Sequence, residues 1–113
     1  MATTLANPSG AVANIRKDAS SAAPLYVYAN ITTDTTTTVK TGAGVLHAIT
    51  LNAPTATEVI TIYDGLSSSG TKIGTITVPS SPQPATLFYD IEFTVGLTIV
   101  TGTATSDITV SFN

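Results

Sequence analysis

Residues 87–93 read Leu87-Phe88-Tyr89-Asp90-Ile91-Glu92-Phe93. Leu87, Tyr89, Ile91 and Phe93 fall on one side of an extended chain, opposite Phe88, Asp90 and Glu92. Side chains of a β-strand point to alternate faces, so this rhythm specifies a strand with one face on a core and one toward water. The same period runs through Asp107–Phe112, with Ile108, Val110 and Phe112 against Asp107, Thr109 and Ser111. In Val45–Leu51 it places Val45, His47, Ile49 and Leu51 on a shared face.

Working outward from these segments, eight β-favouring runs are expected: 25–31, 35–40, 45–51, 58–63, 72–78, 87–93, 97–100 and 107–112. Breakers separate them. Gly42 and Gly44 precede the third, Asn52-Ala53-Pro54 follows it, and 65–70 is a Gly- and Ser-rich turn. In Pro79-Ser80-Ser81-Pro82-Gln83-Pro84, three prolines in six residues cannot donate to a ladder, which predicts a rigid crossing between sheets. The Thr-rich run 32–38 suits a soluble strand, and as an edge it would be weakly defended against pairing. The spacing predicts an all-β antiparallel sandwich, a jelly roll of about eight strands.

Residues 1–24 differ. They are rich in Ala, Ser and Asn, contain Pro8, Gly10 and Pro24, and lack the two-residue period. They read as an extended N-terminal arm, with the domain spanning 25–113. Within the arm, Val12, Ile15, Arg16 and Lys17 are the candidate partner-binding residues. Arg16 and Lys17 are half of the four cations of the protein, whereas 25–113 sets two lysines against six carboxylates, net −4.

Charged residues make up only 10% of the chain, against about 25% in ordinary domains. Sparse charge fits a protein that works in an assembly, because interface cores are depleted of charge. The net charge of −3 argues against nucleic acid as a partner, since phosphates demand a basic surface. No apolar run reaches the roughly 18 residues of a membrane span, so no membrane partner is expected. The first residues carry no basic and apolar leader, so no signal peptide is expected. Absence of cysteine removes disulfides and thiolate metal sites.

Catalytic chemistry finds little material. The single histidine, His47, sits within an alternating strand, and no Gly-x-Ser-x-Gly elbow accompanies it. Zinc needs more His or Cys ligands than the chain owns. Asp90 and Glu92 share the outer face of one strand, which does not let them flank a sugar as a hydrolytic pair. Gly42-Ala43-Gly44 opens no helix, so the dinucleotide fingerprint fails. Neither catalytic residues, nor metal, nor cofactor is expected, and the chain reads as a non-enzyme. Tyr26 and Tyr28, two apart on one strand, are the candidate glycan platform.

Two resemblances add to this reading. Val59-Ile60-Thr61-Ile62-Tyr63-Asp64-Gly65 resembles the strand-turn of extracellular CUB domains, whose disulfides this chain cannot form. The segments 39–49, 61–64, 84–87, 93–102 and 107–110 are similar to small capsid decoration, or cement, proteins of tailed bacteriophages. That resemblance implies a β-sandwich module on the outer capsid surface, made in the host cytoplasm. It implies a homo-oligomer, trimer before dimer, that bridges the major capsid protein lattice. The alternative is a head-fibre, tail or baseplate module contacting host-surface glycans through Tyr26 and Tyr28.

Overall fold

In the computed structural model, which describes residues 25–113, the Ile-, Val- and Thr-rich runs form eight strands. These are β1 (Val27–Ile31), β2 (Thr36–Thr41), β3 (Gly44–Ala53), β4 (Val59–Asp64), β5 (Thr71–Thr77), β6 (Ala85–Phe93), β7 (Gly96–Gly102) and β8 (Asp107–Phe112). Two four-stranded sheets result, ordered β1-β8-β3-β6 and β2-β7-β4-β5. Antiparallel partners run β1 with β8, β2 with β7, β3 with β6 and β4 with β5, so the chain is one long hairpin rolled onto itself. That is the strand order of a jelly roll. The proline-rich stretch after β5 crosses from one sheet to the other, and β2 lies at an edge.

Register aligns the inward residues into rows. Val27, Phe112, Leu46 and Ile91 form one row, and Ala29, Val110, Ile49 and Leu87 the next. From the other sheet, Thr37, Ile99, Ile62 and Gly74 oppose them. Ile49, Ile60, Ile62, Leu97, Ile99, Ile108 and Val110 are fully buried. The Tyr89 ring packs toward Gly74 of the other sheet, where a Cβ would sit 3.5 Å from its hydroxyl oxygen, in ordinary contact. Close approach explains Gly44: a Cβ would collide with the Asn113 carbonyl oxygen, while Val45 and Asn113 exchange two backbone hydrogen bonds beside it.

The two ends of the sandwich use carboxylates in opposite ways. At the end holding the β6–β7 turn, Asp64 accepts hydrogen bonds from the backbone N–H groups of Thr94, Val95 and Gly96 and from the Thr94 hydroxyl. The Thr94 and Val95 N–H donors hold its carboxyl below the usual carboxylate range. At the far end, Glu58 is wholly buried. Its Oε2 accepts the Gly102 N–H at 2.9 Å, and its Oε1 has no partner among the described residues. Burial, then the charge of Asp34, pushes its pKa up against hydrogen bonds from Ser106 and Gly102.

Three outcomes follow for equilibrium unfolding. Ile99→Ala removes a fully buried side chain from the centre of the second sheet and should cost about 2–5 kcal/mol by denaturant titration. Asp64, with its lowered folded pKa, stabilises above the unfolded carboxylate value of about 3.9, and this is lost as pH falls through the folded value. Asp64→Asn should therefore lower the melting temperature at pH 7 and flatten its decline in acid. Glu58 works the other way. Its folded pKa is raised, so the fold is favoured while the group is protonated and loses stability as pH rises from the unfolded value to the folded one. Glu58→Gln should melt higher than the parent at pH 7 and show no such loss.

Candidate functional site

The outer face of the β1-β8-β3-β6 sheet carries the densest group of functional side chains. Its cross-strand rows follow from the register. Tyr28, Ser111, Ala48 and Phe88 form one row, and Asn30, Thr109, Thr50 and Thr86 the next. Tyr28 and Phe88 stand 76% and 68% exposed at opposite edges of the sheet, with two small residues between them.

One backbone irregularity shapes this face. Between Leu46 and Ala48 the register of β3 shifts against both neighbours, which places His47 opposite the pair Tyr89 and Asp90. A bulge of this kind adds an unpaired residue and re-aims side chains. Asp90 takes φ 51°, in the left-handed region that Asp tolerates better than most residues. Its Oδ1 lies 2.5 Å from His47 Nδ1. The bulge also corrects the face expected for β3. Leu46 is buried and, across the bulge, so are Ile49 and Leu51, whereas Val45 and His47 lie outside with Asp90 and Glu92. Simple alternation placed Val45 and His47 with Ile49 and Leu51; one inserted residue reverses the parity.

His47 is held on three sides. Tyr26 stacks on its ring, with centroids 4.1 Å apart and planes 10° from parallel. Phe88 meets it edge-on at 5.5 Å. Asp90 occupies Nδ1, leaving Nε2 as the ring's other polar atom. Of the sequence candidates, Tyr26 thus supports His47, while Tyr28 is left standing free of that stack. Val12, Ile15, Arg16 and Lys17 lie outside the described residues. Alternation already placed Phe88 outward in the sequence, but only the bulge brings Asp90 to His47.

Beyond the rings the face turns polar. Asp107 Oδ1 accepts from Asn30 Nδ2 at 2.7 Å and from Asn52 Nδ2 at 3.1 Å, and the latter also donates to Thr109 Oγ1. Thr50 and Thr86 hydroxyls pair at 3.1 Å. Asp90, Glu92 and Asp107 make this sheet negative, whereas Lys40 and Lys72 belong to strands of the other sheet.

His47 and Asp90 meet on an open face rather than in a cleft. A cavity of about 310 Å³ lies elsewhere, between the β5 and β6 edges beneath the proline-rich crossing. Leu51, Ile76, Val78, Pro79 and Leu87 line it without a charged residue. Among the described residues no three His, Asp or Glu side chains converge as a ligand set, and no helix is long and apolar enough to cross a membrane. The arrangement offers ring faces, hydroxyls and amides on one sheet face. No protein-family model matches the chain, and no curated protein matches it.

Proposed function

We propose that this protein is a virion structural protein that decorates and stabilises the outside of a tailed-phage capsid by bridging major capsid subunits. It binds rather than catalyses. The observation that carries this reading is the apolar end of the sandwich. Leu25, Leu66 and Val95 are 79%, 52% and 53% exposed. They come from three separate segments that all reach the end where residues 1–24 join β1. Single exposed apolar residues are ordinary, but three from separate segments at one end, where the nearby Asp64 carboxylate is engaged by the Thr94, Val95 and Gly96 N–H groups, suit a contact surface.

The sequence supports the same picture. The charge-poor body suits burial in a lattice, and the arm residues Val12, Ile15, Arg16 and Lys17 supply a second contact to the neighbouring subunit. Each apolar contact adds roughly 25 cal/mol per Å² before association costs. A homo-oligomer, a trimer in preference to a dimer, multiplies such contacts on a closed lattice by avidity. Neither nucleic acid nor membrane enters this function.

A second reading has its own observation. The exposed rings of Tyr28 and Phe88, with Tyr26 behind them, favour a head-fibre, tail or baseplate module that touches host-surface glycans.

Mixing the full chain with undecorated capsids tests the first reading. Binding should saturate and raise the capsid melting temperature, and the double variant Leu66→Ser, Val95→Ser should bind more weakly while folding normally. Capsids that neither bind the parent chain nor melt higher with it would contradict decoration.

A further inference from the structure

We propose that the outer face of the β1-β8-β3-β6 sheet is a platform for an uncharged oligosaccharide, laid across the strands from Tyr28 to Phe88. This deepens the host-contact reading and rests on it, and it does not depend on decoration of a capsid.

Ring placement is the first argument. Pyranose rings carry a C–H face that packs on aromatic rings and a rim of hydroxyls that seek hydrogen bonds. Tyr28 and Phe88 occupy one cross-strand row on the two edge strands, with only Ser111 and Ala48 between them. Three strand spacings separate the rings by roughly 14 Å, the span of a short oligosaccharide rather than of one sugar. Ala48 is only 3% exposed although it lies in this outward row, so the neighbouring side chains close over it and present a continuous surface between the two rings.

Preorganisation is the second. Asp90, in its left-handed conformation, fixes His47 through Nδ1, and Tyr26 covers one face of that ring. His47 Nε2 and the Ser111 hydroxyl are polar groups on the same face, Ser111 within the row that joins the two rings. Asn30, Thr109, Thr50 and Thr86 continue the hydroxyl and amide surface in the adjoining row. Asp90 and Tyr26 are positioning residues in this scheme, whereas Tyr28 and Phe88 are the contact residues.

Charge selects the class of sugar. Asp90, Glu92 and Asp107 lie on this sheet, and among the described residues both lysines belong to the other. Sulfated, phosphorylated or sialylated chains would meet like charge on this sheet, with no cation of its described residues to offset it. Neutral chains meet no such penalty.

The test uses the full-length chain on an array of neutral gluco-, galacto-, manno- and N-acetylhexosamine oligosaccharides with sulfated and sialylated counterparts. Calorimetry on the strongest neutral hit follows. Hits should be confined to neutral oligosaccharides and weaken for the monosaccharide. Tyr28→Ala and Phe88→Ala should each weaken binding by about tenfold at an unchanged melting temperature. Leu66→Ser, at the apolar end, should bind as the parent does. A blank array, hits on charged glycans alone, or binding that survives loss of both rings would overturn the proposal. So would self-association of the chain that is abolished by Phe88→Ala in place of sugar binding, which would assign the face to a second copy. Labelled protein that adheres to host cells while the array stays blank would separate the outcomes: host contact would stand and the neutral-glycan assignment would fall.

Discussion

Everything in this fold depends on two sheets burying a single layer of alternating apolar side chains between them. Ile49, Ile108 and Val110 from one sheet meet Ile60, Ile62 and Ile99 from the other, all fully buried. A one-residue slip in any strand would send its whole inward set to solvent, so burial fixes register throughout. Rolling the paired strands into two stacked sheets also leaves four edges, and the connections that close them are where the sequence becomes irregular.

The bulge at His47 is the place where this constraint is relaxed. A strictly alternating β3 would bury a histidine and expose Leu46. The inserted residue keeps Leu46, Ile49 and Leu51 in the core and delivers His47 to the outside, where Asp90 and Tyr26 hold it. The same irregularity puts Asp90 at positive φ, a backbone cost of the kind that persists only where the surroundings hold it. Under the proposed glycan reading, a face whose His47 is already held by Asp90 and Tyr26 would need less ordering on contact, which favours binding.

Much of the fold was legible in the residues because it rests on short-range pattern. All eight strands lie where alternation and breakers place them, with shifts of a few residues at their ends, and the prolines of 79–84 cross between sheets as their missing donors imply. What alternation could not reveal is any departure from itself. The bulge in β3 is set by pairing with β6 and β8, distant in the chain, so Val45 and His47 were assigned the wrong face. The His47–Asp90 contact, spanning 43 positions, has the same origin. Tyr26 and Tyr28 were recognisable as a pair, but their division into one supporting ring and one exposed ring depends on the neighbour across β8. Glu58 opens the β-favouring run 58–63, and nothing local in the sequence marks it as a buried carboxylate.

The central claim is that this jelly roll adheres by its surfaces, with its apolar end against a lattice. Electron cryomicroscopy of capsids saturated with the protein tests it directly. Density for the sandwich on the outer shell, with Leu25, Leu66 and Val95 toward the capsid and the Tyr28–Phe88 face toward solvent, is the expected result. Shells bare of added density, or a sandwich docked by its Glu58 end, would contradict it.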